Sequence, residues 1–385
     1  MISRQVEKVP PFPRNRVEID LAALKDNYRL IREFLGENTG VLAVVKADGY
    51  GHGIKEVAES LQSVGSDGFC VADVEEGVIL REMGIKGDIV VFLGFKQDEC
   101  REIVEFALQP VVFDPEQLKM VASSARGRRV NIGLHLKVDI GMGRSGVYPD
   151  RIPELLQIIR ETDGIYLAGL MSHFPAADAA DIQGSLRQHE IFRTVCRDLR
   201  GGLLQGEAHI ANTAAMVRFP EMHWDKVRPG ISLYGYLPDK NNCCLPGLKP
   251  VMSLKTEIFQ VKQVPADTGI SYGHSYRTNR PSRLALIPLG YNEGYLRLLS
   301  NRAQALVHGV RVPQVGQICM NVTVLDVTDL PGEVRPGDEV VLMGEQGEEA
   351  IDADEIAGWM GTLNYEVLCL FGNLNYRRYL NKLDL

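Results

Sequence analysis

Val41-Leu42-Ala43-Val44-Val45-Lys46-Ala47-Asp48-Gly49-Tyr50-Gly51-His52-Gly53 passes from five apolar residues straight into a lysine and a glycine-rich turn. An apolar run with turn residues directly behind it reads as a buried strand. Lys46 then stands at the strand's C-terminal end. Desolvation disfavours its ammonium and leaves an amine able to form a Schiff base. The three glycines permit tight turns and close approach of backbone to a ligand. An isolated lysine at a strand end more often snorkels to solvent. The string Val44–Gly53 around Lys46 is far more specific than an isolated lysine.

Working outward, short apolar runs recur at Val41–Ala47, Gly68–Asp73, Ile89–Gly94, Pro110–Asp114, Val130–Asp139, Tyr166–His173, Ala208–Thr213 and Val227–Gly235. Helical patterns lie between them, among them Ile54–Val64, Pro115–Ala125 and Ile182–Leu199. A first helix opens at Asp20, a candidate N-cap, with Leu21, Leu24, Tyr28, Ile31, Phe34 and Leu35 on one face. Eight strand–helix units over about 230 residues predict an α/β fold, a (β/α)8 TIM-type barrel. Asn241-Asn242-Cys243-Cys244-Leu245-Pro246-Gly247 marks a boundary. Beyond it, Met252–Val264, Ser282–Pro288, Ala303–Val307, Val322–Val327 and Glu339–Met343 read as strands, with one helix at Asp352–Met360. The expected organisation is an N-terminal segment 1–16 packing on the C-terminal domain, a barrel over 17–245, and a mainly β domain over 246–385.

The net charge of -8 favours neither nucleic acid nor an anionic membrane as the main partner. No apolar stretch is long enough to cross a bilayer. Residues 1–16 are polar, carry prolines and lack a signal-peptide core. The seven cysteines include no C-x-x-C pair, which fits reduced thiols and a cytoplasmic location. Cys243-Cys244 have no histidine or cysteine nearby at ligand spacing, so no metal is expected.

A barrel collects its catalytic residues at the C-terminal ends of its strands. Lys46 ends the first run, Leu93-Gly94 the third, Lys137 and Asp139 the fifth, His173 the sixth and Asn212-Thr213 the seventh, while Arg228–Ile231 belong to the eighth. Polar groups thus gather at one mouth, as a cofactor site requires.

The chain resembles the alanine racemase family from about Arg16 to Tyr379, nearly its whole length. The resemblance is carried by Val44–Gly53, Leu136-Lys137-Val138-Asp139-Ile140-Gly141-Met142-Gly143-Arg144, Ser172-His173-Phe174, Ala211-Asn212-Thr213-Ala214 and Arg228-Pro229-Gly230-Ile231-Ser232-Leu233-Tyr234-Gly235. Ser271-Tyr272-Gly273, Gly316-Gln317-Ile318-Cys319-Met320 and Asn364-Tyr365-Glu366 complete it. Each motif is weak singly; their order is specific.

The resemblance implies pyridoxal 5′-phosphate on Lys46. It assigns the phosphate to Tyr50, Asn212, Thr213, the backbone of Gly230 and Ile231, and Tyr365. It sets Leu93 and His173 against the cofactor and Arg228 at the pyridine nitrogen. Arginine neither accepts a proton nor gives one up, so that nitrogen stays unprotonated, a condition suited to quick reprotonation at Cα. Inversion needs an acid/base on each face of Cα. The resemblance gives one face to Lys46 and the other to Tyr272 from the second subunit of a homodimer with shared active sites. The resemblance also implies that Arg144 and Met320 bind substrate and that Lys137 is a candidate for carbamylation. Taken alone, Tyr50 and Tyr365 read as packed aromatics, Tyr272 as a turn residue, Arg228 as the partner of an acid, and Lys137–Asp139 as a charge pair.

Three positions depart from the family pattern. Asn321 stands where most relatives have aspartate, Thr213 replaces serine, and Cys369–Leu374 carries leucine where relatives often have arginine, with Arg377 and Arg378 close behind. The implied activity is that of an isomerase interconverting L- and D-alanine for peptidoglycan. A serine or broad-specificity racemase is the alternative. A fold-related decarboxylase is disfavoured by Arg228, and a non-catalytic pyridoxal-phosphate-binding protein by Tyr272 and Met320.

Overall fold

The computed structural model describes residues 14–200 and 206–382, so most of the expected N-terminal segment 1–16 lies outside the described residues. Strand β1 (Arg16–Asp20) leads into helix α1 (Leu21–Leu35), and Asp20 Oδ1 accepts from Ala22 N at 2.9 Å, as the N-cap reading requires.

One compact unit comprises Ala23–Gly49 and Ile54–Lys249. It holds eight parallel strands: β2 (Gly40–Val44), β3 (Gly68–Val71), β4 (Asp88–Val91), β5 (Gln109–Val112), β6 (Ile132–Lys137), β7 (Ile165–Met171), β8 (Glu207–His209) and β9 (Lys226–Val227). β9 pairs with β2, and the seam between β8 and β9 is bridged at Asn212–Arg228, with Arg228 N donating to Ala211 O at 2.8 Å. This is the expected (β/α)8 barrel. Its strands are apolar runs because both faces are covered; every residue of β3 and β6 is buried. The strands end earlier than the apolar runs do. Lys46, His173 and Arg228 therefore lie on the loops just past them. Polar side chains are also buried within this unit: His135, His209, Lys137, Lys226 and Arg228. A buried polar group is costly unless it is hydrogen-bonded, so these residues mark where the interior is more than packing.

The other unit comprises Met1–Ala22, Tyr50–Gly53 and Pro250–Leu385. Its largest sheet orders Val310–Pro313, Gln304–Val307, Glu339–Gln346, Met252–Glu257, β1 and Arg377–Leu380, with Glu349–Ile351 paired onto Glu339–Gln346. A three-stranded sheet joins Gln260–Val264, Ser282–Ile287 and Thr323–Asp326. The single run expected at Met252–Val264 is two strands in different sheets. Ile258 N bonds to Asp338 O while Phe259 N bonds to Leu286 O, and this change of partner carries the chain from one sheet to the other. The helix expected at Asp352–Met360 is present, with Asp352 as its cap accepting from Glu355 N. A second helix, Asn364–Leu374, was not expected. It is apolar along most of its length and Leu363 offers no capping side chain, so neither its start nor its period is marked in the sequence.

Gly51 and Gly372 fix how this unit closes on the Tyr50 segment. Gly51 has φ +81, and a Cβ there would sit 2.7 Å from Leu368 O. A Cβ at Gly372 would come within 2.8 Å of Gly51 Cα and closer still to Gly51 O. The contact sets the Tyr50 and Tyr365 rings 5.9 Å apart. Overpacking against backbone has no flexible side chain to yield, so Gly372→Ala is expected to cost about 2–3 kcal/mol. Thermal unfolding should show a midpoint lower by several degrees; an unchanged midpoint would refute the close approach.

Candidate active site

Lys46 is followed by a turn of unusual hand. Ala47, Asp48, Gly49 and Tyr50 have φ of 56, 54, 63 and 55. A left-handed turn costs roughly 1–2 kcal/mol per residue bearing a Cβ, so three of these four positions are strained. The strain is held by specific bonds. Gly49 N donates to Val45 O at 2.8 Å and Ile54 N donates to Asp48 Oδ1 at 2.8 Å. The Glu76 carboxylate accepts from Asp48 N at 2.9 Å and from Ala72 N at 2.8 Å. Burial raises the pKa of Glu76, and those backbone donors oppose the rise. Glu76 thereby ties the segment after Lys46 to the loop after β3. Sequence reasoning missed it because Glu75-Glu76 at the start of a helix reads as ordinary surface acid.

Arg228 is 3% exposed and has no carboxylate partner among the described residues, where the ion-pair reading does not hold. Its NH1 donates to His209 Nδ1 at 2.7 Å and His209 O at 2.8 Å. Its NH2 donates to Ser172 O at 2.6 Å and Ile210 O at 3.1 Å, with His173 Nδ1 at 3.5 Å. The Nε–H has no partner among the described residues. Burial lowers the guanidinium pKa to about 10, which leaves it charged at neutral pH. His209 continues to His135, with Nε2 to Nδ1 at 2.8 Å, and His135 Nε2 meets Gln109 Oε1 at 2.8 Å. Burial first, and nearby cations second, push His209 well below the usual histidine range; burial likewise takes His135 to about 3. His173 is pushed to about 3 by burial and then by Arg228, Arg144, Lys137 and Lys46. All three rings are neutral.

Lys137, at the end of β6, is buried, and its Nζ donates to Ser145 Oγ at 2.8 Å. Burial, then Arg144 and Arg228, lower its pKa to about 8. It is not ion-paired with Asp139, whose carboxylate instead accepts from Gly141 N and Gly143 N and shapes the loop carrying exposed Arg144. Four cationic side chains, Lys46, Lys137, Arg144 and Arg228, act on His173 at this mouth. Such a surplus suits a ligand with phosphate and carboxylate groups.

Thr213 Oγ1 accepts from Gly230 N at 3.0 Å and lies 3.2 Å from Ser232 Oγ. Asn212 caps the helix Thr213–Arg218 through Ala215 N. Gly230 and Ile231 open the tight turn Ile231–Tyr234. Leu93 follows β4 and is 73% exposed. In the β-rich unit, Tyr50 and Tyr365 are brought together as described. Tyr272 and Met320 are 69% and 55% exposed. Their segments are tied to one another, since Ser271, at φ 60, donates from Oγ to Gln317 O at 2.6 Å. Asn321 donates from Nδ2 to Glu293 Oε1 at 2.7 Å. Among the described residues, no cluster of three or more histidine, cysteine or acidic side chains could hold a metal. Gln109, His135, His209 and Ser232 were also missed from sequence. The available signal was polar residues at alternate positions in β6, where His135 precedes Lys137 by two.

Residues 19–238 match the family model described as alanine racemase, N-terminal domain, and residues 251–379 match alanine racemase, C-terminal domain. The alanine racemases of Syntrophobacter fumaroxidans and Halothermothrix orenii are each 40% identical over 95% of this chain and 97% of their own. Among solved structures, the alanine racemase from D-cycloserine-producing Streptomyces lavendulae superposes with TM-score 0.92 at 32% identity, covering 97% of this chain and 99% of that one. The alanine racemase of Streptomyces coelicolor gives 0.91 at 34%, covering 96% and 98%.

The buried neutral histidines carry a pH signature. Between the ordinary value of 6.5 and the folded value near 3 for His135, the unfolded chain binds a proton that the folded chain refuses. His209 acts in the same direction. Stability is then intact above pH 6.5 and falls as pH drops below it, by up to about 1.4 kcal/mol per pH unit per group. Urea unfolding should show the loss between about pH 6.5 and pH 5. A flat profile there would mean the rings are protonated in the fold.

Proposed function

The chain belongs to the alanine racemase family, and from that premise we propose that it interconverts L- and D-alanine using pyridoxal 5′-phosphate. The observation that carries the reading is Arg228, buried and charged with no acid paired to it among the described residues, at the same barrel mouth as Lys46. When bound, pyridoxal phosphate draws electrons from the bond between substrate Cα and its hydrogen. Lys46 would anchor it covalently and serve one face of Cα. Tyr50, Asn212, Thr213, Gly230, Ile231 and Tyr365 would hold the phosphate, with His173 and Leu93 against the ring.

Arg228 has its Nε–H to offer the ring nitrogen, and an arginine leaves that nitrogen unprotonated. Proton return to Cα is then quick, which favours racemisation over decarboxylation or transamination. Tyr272, supplied by the second subunit of a homodimer, takes the opposite face. Its exposure and that of Met320 support a role completed by another subunit. Arg144 clamps the substrate carboxylate. Tyr365 limits side-chain bulk, which favours alanine. Asn321 supports a second reading, a range extending to serine, because it replaces a charge beside Met320 with a neutral donor bound to Glu293. The product fits a supply of D-alanine for peptidoglycan in the cytoplasm.

Lys137 fits carbamylation, since a neutral amine adds carbon dioxide and a pKa lowered to about 8 makes that form far more accessible than in an ordinary lysine. The anion would lie near Arg144 and Arg228, where a positive Lys137 is disfavoured. With labelled bicarbonate, a carbamate carbon resonance should grow as pH rises through about 8 and be missing in Lys137→Ala. Absence of the resonance in the unaltered protein would refute the modification.

The function is tested by solvent deuterium entry at Cα with chiral analysis of the products. Both alanine enantiomers should exchange and invert. Carbon dioxide release from a diamino acid in place of inversion would overturn the reading. Tyr272→Phe should lower Cα exchange from L-alanine by about 10²-fold or more, while D-alanine still exchanges with retention. Equal loss from both enantiomers would refute the division of faces.

A further inference from the structure

The hydrogen bonds that hold Arg228 continue through the barrel to the opposite end of its strands. Gln109, at the start of β5, donates from Nε2 to Asp88 Oδ1 at 2.7 Å. Asp88, at the start of β4, also receives Lys226 Nζ at 3.0 Å, and Lys226 reaches Glu207 Oε2 at 2.6 Å. A cavity of about 670 Å³ opens there, lined in part by Asp88, Gln109 and Glu207. The path is Asp88, Gln109, His135, His209, Arg228.

Both ends of the path dictate the same polarity. A carboxylate only accepts, so Asp88 turns the Gln109 amide to present Nε2 downward and Oε1 toward His135. His135 must then carry its proton on Nε2. At the other end a guanidinium only donates, so His209 must accept on Nδ1 and carry its proton on Nε2. That proton meets the free lone pair of His135 Nδ1. The two requirements join at 2.8 Å without conflict. Space is reserved for the chain as well: a Cβ at Gly169 of β7 would come within 2.7 Å of His135 Cε1 and closer to its Nδ1.

We propose that Gln109 is a positioning residue for Arg228, acting across the barrel through the fixed tautomers of His135 and His209. The inference rests on the proposed racemase function for its kinetic consequence. Its structural content does not. A carboxylate in place of His209 would hold the guanidinium equally well but would cancel its charge. A neutral ring locked as an acceptor holds it and leaves the charge directed at the mouth. The ionised groups that orient the lock, Asp88, Lys226 and Glu207, sit at the far end.

The test uses the full-length protein with its cofactor and ¹⁵N-labelled histidine. Long-range proton–nitrogen spectra should show His135 and His209 neutral and protonated on Nε2. Gln109→Met removes the acceptor and should mix these tautomers. It should lower kcat for alanine about tenfold with KM within about twofold, since Arg228 is displaced rather than removed. The double variant Gln109→Glu with Asp88→Asn restores an acceptor for His135 and a donor beneath it, and should recover tautomers and rate. An Nδ1–H or imidazolium signature for either ring in the unaltered protein overturns the proposal. So does native kcat in Gln109→Met, or a double variant that recovers nothing. Failure of the unaltered protein to racemise alanine would instead refute the functional reading, and the tautomer spectra are decided without turnover.

Discussion

A guanidinium buried among neutral acceptors is the constraint from which the rest of the barrel interior follows. Arg228 remains charged because its N–H groups meet three backbone carbonyls and one imidazole nitrogen. Those carbonyls belong to Ser172, His209 and Ile210, at or just past the ends of β7 and β8. The strands stop where Ser172 O and Ile210 O can turn toward the guanidinium, while His209 O accepts both from it and from Ser172 N across the sheet. Breaking one such contact would leave a charge in a dry interior, which costs far more than an ordinary hydrogen bond returns.

Around this centre the strain is local. The left-handed turn behind Lys46 is disfavoured at Ala47, Asp48 and Tyr50, and it persists because Glu76 and Val45 O satisfy its backbone while Asp48's side chain ties it to Ile54 N. A comparable device occurs in the other unit, where Ser271 adopts φ 60 ahead of Tyr272 and its hydroxyl is pinned to Gln317 O. In both cases a strained residue adjoins one to which the proposed chemistry assigns a base. Strain is retained where the surrounding bonds over-determine it.

The fold was legible because a barrel strand buried on both faces leaves a near-continuous apolar run, and eight such runs alternate with amphipathic helices. Lys46, Lys137, His173 and Arg228 were legible because a charge or imidazole at the end of such a run is out of place unless used. What stayed hidden depends on partners distant in sequence. Glu76 looks like a solvated helix acid until Asp48 N is seen beside it. His135 and Gln109 look like ordinary strand residues until the closure of the barrel sets them on one line with His209. Helix Asn364–Leu374 lacks both a cap and a polar face, so only the packing of Gly372 on Gly51 reveals why it is there.

The proposed chemistry depends on Lys46 as the covalent anchor for the cofactor. Borohydride reduction of the protein with pyridoxal phosphate, followed by peptide mass mapping, addresses it directly. One dominant phosphopyridoxyl adduct is expected, on the peptide containing Lys46, with no comparable adduct in Lys46→Ala. Adducts spread over surface lysines, or one dominant adduct on Lys137 or elsewhere, would contradict it.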